Sequence, residues 1–338
     1  MFYKLKENRV VRTYLGGQNL EEFFGRVRKP SYYPELWIAS MIEAKNGENT
    51  DKVEGLSVTE EGLLLKDVVM ENPEKVLGKS VFERFGSNIS VLLKLLDADE
   101  RLVIQAHPTV EFSEKNFNSS FGKTEAWYSL RDGGYIYLGF KEGITKEKWK
   151  DAFYSKDSQK LLSYMHRFDL KKGDVVFVDG GVPHSIGAGC FIAEIQEPSD
   201  LMVCGESVSM SGRILPEARV HGGLGYDLMF DCFIYDGMSE DEIKDKYFIK
   251  PKTVNENVKI LLDTDVTDKF RLAEITVNGE YSMPFSDDYY VLVVIDGMGK
   301  ITDGTKEYSV KSGDQFFVCS AASGIIISGD LQFIAAMP

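Results

Sequence analysis

Four residues, Gln105, His107, Glu125 and His184, have the types and the spacing to hold a divalent metal ion. In the run Arg101-Leu-Val-Ile-Gln-Ala-His107, apolar β-formers predict a strand. Side chains alternate faces along a strand, so Gln105 and His107, two apart, point to the same side. Lys123, Glu125 and Trp127 repeat that spacing, and His184 follows the turn-rich Asp179-Gly-Gly-Val-Pro183 from which a third strand could close the set. Two imidazoles with an amide and a carboxylate oxygen, and no thiolate, suit zinc, with manganese, iron or cobalt as further options. Each residue alone reads as an ordinary hydrogen-bonded strand-end side chain. Their combination, in a chain with only four histidines, is what points to a metal.

The elements that must position these residues are mostly strands. The 31 glycines scattered among short apolar runs favour strands and tight turns over a helical bundle. Ser31–Ser40 reads as a turn entering a strand, Glu60–Leu96 carries helix-like apolar spacing with breaks at Gly78 and Gly86, and Leu102–Phe140 is strand-rich. Val91–Leu96 is too short to assign by periodicity. Thr145–Phe168 predicts one or two helices with Trp149, Phe153, Leu161, Leu162 and Met165 as their packed stripe, which places His166 at a helix end. A Gly173-Asp174 turn then feeds the β-branched run Val175–Val178, and Gly313-Asp314 feeds Gln315–Val318 in the same way about 140 residues later, without a histidine. That internal repeat predicts a mainly β protein of two antiparallel jelly-roll barrels, a class that includes cupins, in which only the first kept metal ligands. The expected division is a metal-binding barrel over 1–140 and 170–235, a helical insertion at 141–169, a connecting segment at 236–262 marked by the charged run from Glu240, and a ligand-free C-terminal barrel over 263–338.

Bulk properties narrow the function. A length of 338 residues exceeds one ordinary core, and 43% hydrophobic with 27% charged residues is the composition of a folded soluble chain. Cys190, Cys204, Cys232 and Cys319 form no close pair, so reduced thiols are expected rather than a disulfide frame. No run has signal-peptide or membrane-span character, which predicts a cytoplasmic protein with neither membrane nor nucleic-acid partner. The net charge of −14 agrees, and it requires any anionic substrate to be met by locally gathered cations. Oligomeric state is not readable.

At this point the motifs carry a resemblance. Gln105-Ala-His107-Pro108, Gly122-Lys-Thr-Glu-Ala-Trp-Tyr128 and the Gly-Asp-strand-turn unit ending at His184 resemble the type I, cupin-fold mannose-6-phosphate isomerases. Leu93–Ala98, Ala193–Asp200, Gly16-Gly17 and Glu35–Ser40 extend the likeness over most of the chain. The resemblance implies one zinc on Gln105, His107, Glu125 and His184, and aldose–ketose isomerisation of a sugar phosphate, most simply mannose 6-phosphate to fructose 6-phosphate through an enediol. It departs after Ser199-Asp200, where the family's Thr-Tyr-Arg stretch would put a substrate-facing arginine and this chain has Leu-Met-Val-Cys204. Arg213 is the nearest arginine that could supply the charge.

Such chemistry needs a base to carry a proton between C1 and C2 and a positive centre for the developing oxyanion. Lys123, on the face of Glu125, could stabilise the enediolate or shuttle a proton with its pKa lowered by the metal. Glu194 and Asp200 are candidate bases, or could orient a histidine. Lys94, Arg213 and Arg219 are candidate phosphate ligands, arginine being favoured for its planar fork. His221 reads as a turn residue. Two other readings remain open: a sugar-phosphate-binding cupin without turnover, motivated by the missing arginine, and an iron-dependent oxygenase on two histidines and a carboxylate.

Overall fold

β-Branched and aromatic runs punctuated by Gly, Asp and Pro give a largely antiparallel β structure in a computed structural model that describes residues 1–45, 53–320 and 322–338. Its strands form three sheets. The first, of seven strands, runs in the order Phe248–Ile249, Val175–Val178, Glu125–Ser129, Phe191–Gln196, Leu92–Asp97, Glu35–Ile38 and Arg9–Val10. The second, of five strands, runs Val203–Cys204, Gln105–Ala106, His184–Ile186, Tyr135–Phe140 and Met165–Asp169. The third is built on the long strands Arg271–Ser282, Tyr290–Thr302 and Ile326–Met337, extended by Val258–Leu262, Lys252–Thr253, Glu307–Lys311, Gln315–Val318 and, from the far end of the chain, Phe2–Leu5.

The two Gly-Asp turns have the same construction. Gly173 and Gly313 sit at φ +94° and +93°, a left-handed conformation that glycine adopts without strain. In each turn the aspartate nitrogen donates to the carbonyl of the lysine three residues before it, at 3.0 Å, and the aspartate Oδ2 accepts from that lysine's N–H, at 2.8 Å for Asp174 and 2.9 Å for Asp314. The strands that follow are buried throughout.

Several elements differ from the sequence reading. The 60–96 segment is three short helices, Leu65–Glu71, Pro73–Leu77 and Lys79–Phe85, and Val91–Leu96 resolves into the strand Leu92–Asp97. Helices Lys146–Ser155 and Ser158–Ser163 bury Trp149, Phe153, Leu161 and Leu162 as expected, but His166 lies on the strand Met165–Asp169 rather than at a helix end, its Nε2 2.8 Å from the Met238 carbonyl. The Arg101–His107 strand is confined to Gln105–Ala106, because the Ile104 nitrogen is taken by the Glu206 carboxylate instead of a ladder partner. The charged run at 240 forms the helix Glu240–Tyr247, started by a reciprocal Ser239–Glu242 capping box. Val258–Leu262 is a strand of the third sheet, not a loose connection.

Candidate metal centre

The seven-stranded and five-stranded sheets bring the four sequence-predicted ligands together. On the five-stranded sheet His184 pairs directly with Gln105, and His107 follows that strand. Glu125 opens the strand Glu125–Ser129 of the other sheet. One ligand atom from each of His107, Glu125 and His184 lies within 4.8 Å of the others. His107 Nε2 is 3.2 Å from Glu125 Oε2, His184 Nε2 is 3.3 Å from Glu125 Oε1, and Gln105 Nε2 is 3.2 Å from His184 Nε2. A half-turn of the Gln105 amide would present its oxygen instead.

The donor set fits a cation. His107 Nδ1 lies 2.8 Å from the Leu201 carbonyl and His184 Nδ1 lies 2.9 Å from the Val182 carbonyl. Carbonyls only accept, so both Nδ1 atoms carry the proton and both Nε2 lone pairs face the cluster. Burial pushes both imidazoles below their ordinary pKa, His184 to about 3, so they are neutral at physiological pH. Among the described residues, Glu125 Oε1 is buried without a hydrogen-bond donor. Three converging acceptor groups, one of them with an oxygen that no donor meets, form an arrangement that a divalent ion completes. Among the described residues, the positive group in contact with these ligands is the Lys123 ammonium, 2.7 Å from His107 Nε2 and 2.5 Å from Glu125 Oε2. Burial would raise the Glu125 carboxyl, but the Lys123 ammonium holds it well below its ordinary value. Burial would lower Lys123 in turn, but Glu125 and Glu194 raise it, so without a bound ion this lysine carries its charge.

Beyond the ligands, charges continue across the inner face of the seven-stranded sheet. Register sets Trp37, Lys94, Glu194 and Trp127 side by side on four adjacent strands, and Glu35 and Glu125, two residues from the tryptophans, fall on the same face. Lys123 Nζ is 3.8 Å from Glu194, Lys94 is 3.2 Å from Glu194 and 3.9 Å from Glu35, and Arg12 Nε is 3.0 Å from Glu35. Arg12 then grips both oxygens of Asp200, at 3.0 and 3.1 Å. All of these side chains except that of Asp200 are less than 9% exposed, and Asp200 is nearly as enclosed. Arg12, Lys94 and Lys123 face Glu35, Glu125, Glu194 and Asp200, three cations against four carboxylates. With neutral imidazoles the set is one negative charge out of balance, and a divalent ion turns it to one positive.

Arg12 and Glu35 were not singled out by sequence reasoning. Glu35 had a signal, because Glu35 and Trp37 alternate onto one face and the Trp37 indole donates to the Glu35 carboxylate at 2.7 Å. Arg12 lies in no motif, and its partner Asp200 is 188 residues away.

The remaining candidates separate. Arg219 is half-buried near Cys204, Arg12 and Asp200, and makes no side-chain hydrogen bond or ion pair among the described residues; burial lowers its pKa. Arg213 is exposed on a turn closed by Ser209, with no ion pair to the buried set among the described residues, so the expectation that it supplies the missing charge finds no contact in support. Cys204, in the run without arginine, is fully buried opposite Gln105. His221 accepts from the nitrogens of Gly223 and Gly225, as a turn histidine should.

Two family models match opposite ends of the chain: the type I phosphomannose isomerase catalytic domain over residues 13–128 and the mannose-6-phosphate isomerase cupin domain over 263–338. The Bacillus subtilis protein GmuF, named a probable mannose-6-phosphate isomerase, is 25% identical over 96% of this chain and 95% of its own. The mannose-6-phosphate isomerase of Streptococcus mutans is 27% identical over 75% of this chain and 77% of its own. Among solved structures, the mannose 6-phosphate isomerase of Bacillus subtilis superposes with a TM-score of 0.76 at 21% identity, covering 99% of each chain, which shows a shared fold. No helix among the described residues is long and apolar enough to cross a membrane. With family models matching at opposite ends and relatives of the same name along its length, the chain is similar to the type I phosphomannose isomerases.

Proposed function

We propose that this chain is a zinc-dependent aldose–ketose isomerase that interconverts mannose 6-phosphate and fructose 6-phosphate through an enediol. The observation that carries the reading is the convergence of the His107 and His184 Nε2 lone pairs on the two oxygens of the Glu125 carboxylate, of which Oε1 has no donor among the described residues. Gln105, His107, Glu125 and His184 would hold the ion, which would supply Lewis-acid polarisation of the sugar oxygens at C1 and C2. Lys123, whose ammonium lies beside His107 and Glu125, would stabilise the enediolate oxygen. Glu194 is the better base of the two candidates. Burial raises its carboxyl above the ordinary value despite the neighbouring Lys94, which brings it closer to the range of a proton carrier. Asp200 has both oxygens in the Arg12 fork. Arg219, with no carboxylate partner among the described residues, is the phosphate ligand we favour over Arg213 and over Lys94, which is spanned between Glu194 and Glu35.

The proposed division into a ligand-bearing barrel (1–140 and 170–235), an insertion at 141–169, a connecting segment at 236–262 and a ligand-free barrel at 263–338 is supported by the duplicated Gly-Asp turns and by the cupin-domain match over 263–338. The strands Phe2–Leu5 and Val258–Leu262 pair outside those bounds and join the C-terminal sheet.

The test is conversion of mannose 6-phosphate to fructose 6-phosphate by the zinc-loaded protein. Turnover is expected in the parent. In Glu125→Ala both turnover and the bound zinc should be lost, with kcat down by roughly 10³-fold or more, and Arg219→Met should act chiefly by raising KM. Binding without turnover, the outcome favoured by Cys204 in the run that lacks an arginine, would identify a silent sugar-phosphate-binding cupin. Oxygen uptake with ferrous iron would mark the oxygenase.

A further inference from the structure

The run Gly122–Glu125, which carries both Lys123 and Glu125, is held by a residue outside the ligand set. Glu197, only 4% exposed, accepts from the nitrogens of Gly122 (3.3 Å) and Thr124 (2.9 Å), one on each carboxylate oxygen. Its own nitrogen donates to the Thr124 carbonyl at 3.0 Å. Ser199 Oγ donates to the Gly122 carbonyl at 2.5 Å, and the Lys123 nitrogen donates to the Pro108 carbonyl at 3.0 Å. The peptide groups on both sides of Lys123, and the one that leads into Glu125, are therefore fixed by Glu197 and its neighbours.

The cation that answers the Glu197 carboxylate comes from the third sheet. Lys269, on the turn entering the strand Arg271–Ser282, places Nζ 3.7 Å from Glu197 Oε1. The adjoining Asp268 is bound by Arg84 at 2.8 Å, and Phe85 stacks on Phe121, the residue before the clamped run, with ring centroids 5.7 Å apart. The turn before the C-terminal strands thus reaches the backbone beneath the candidate metal centre by two routes.

We infer that Glu197 is a positioning residue for Lys123 and Glu125, and that the C-terminal unit acts on the metal centre through the Lys269–Glu197 pair. This rests on the metal-site reading above. A carboxylate that bridges the N–H groups of residues i and i+2 of an extended run sets the direction of the side chain between them. Losing such a support characteristically costs 10–100-fold in metal affinity or activity.

The test uses the full chain with Glu197→Gln, Lys269→Met and Lys269→Arg. Zinc affinity is measured by chelator competition, and ligand geometry by the visible absorption of the cobalt-loaded protein. In Glu197→Gln and Lys269→Met, zinc should bind about 10-fold or more weakly and the cobalt bands should shift. Lys269→Arg should restore both, and in an active enzyme kcat should fall in the first two variants while KM holds. Unchanged zinc affinity and cobalt spectrum in Lys269→Met and Glu197→Gln, whatever happens to melting temperature, would reduce the pair to scaffolding and overturn the inference. A parent that binds zinc but does not isomerise mannose 6-phosphate would sink the proposed activity alone, because affinity and spectrum still report on Glu197. A parent that binds neither zinc nor cobalt would sink both.

Discussion

Asp200 has both oxygens in the Arg12 fork, and the Lys45 nitrogen donates to it at 2.8 Å. Burial would raise its carboxyl, but Arg12 and then Lys94 hold it at about 2, against an ordinary value of 3.8. Between those values the unfolded chain binds a proton that the folded chain refuses. The stability that Asp200 contributes is therefore full above pH 3.8 and lost as pH falls through about 2. Asp200→Asn should lower stability at neutral pH by removing the carboxylate charge from the Arg12 fork, and its deficit relative to the parent should shrink between pH 4 and pH 2 in urea unfolding. A deficit that does not change across that range would show that the pair is not held as described. At this scale the sequence was most legible where spacing carries the signal. Gln105 with His107 and Lys123 with Glu125 are i, i+2 pairs, and their chemistry can be read before any fold is known. The Arg12–Asp200 and Glu197–Lys269 pairs join residues far apart in the chain, and nothing in either local sequence marks the partner.

The elements were legible to the extent that local chemistry decides them. The repeated Gly-Asp turn could be read because Gly supplies the left-handed residue and Asp caps the turn with its own side chain. The helix over 240–247 was missed because a run of charges looks like a linker unless the Ser239–Glu242 box is weighed. Register across the seven-stranded sheet, which puts Lys94 beside Glu194, depends on four chain segments meeting, and no one segment reports it. Gly122 shows how tightly one such meeting is packed. A Cβ there would lie 2.7 Å from the Pro108 carbonyl oxygen and 2.8 Å from the Val110 nitrogen, both backbone. Gly122→Ala must therefore push the His107-Pro108 run away from the Lys123–Glu125 run. The expected result is a loss of about 1–3 kcal/mol in stability together with weaker zinc binding, read by thermal melting and chelator competition. A normal melt with normal affinity would contradict the packing.

On the scale of the whole molecule, the third sheet is joined to the metal-bearing sheets by buried polar contacts as well as by apolar surface. The Tyr289 hydroxyl accepts from the Ser90 nitrogen at 2.9 Å, just ahead of the strand that carries Lys94. Tyr128, on the Glu125 strand, bonds Glu274 of the third sheet. Tyr289→Phe would leave the buried Ser90 N–H without its acceptor. It should cost about 1–3 kcal/mol in a single cooperative melt, and a second, separate transition would instead show that the sheets unfold independently. The two-part organisation was legible from the repeated turn, but these contacts were not, since they depend on how the sheets dock.

The strand Phe2–Leu5 closes the third sheet by pairing with Gln315–Val318, with Phe2 opposite Val318 and fully buried. During synthesis, at about 5–20 residues per second, that strand leaves the ribosome roughly 15–60 s before its partner exists. Until then an apolar edge waits in solution beside a growing chain. Closure of this sheet edge therefore waits on the synthesis of Gln315–Val318, and the apolar face of Phe2 has no strand to meet before then.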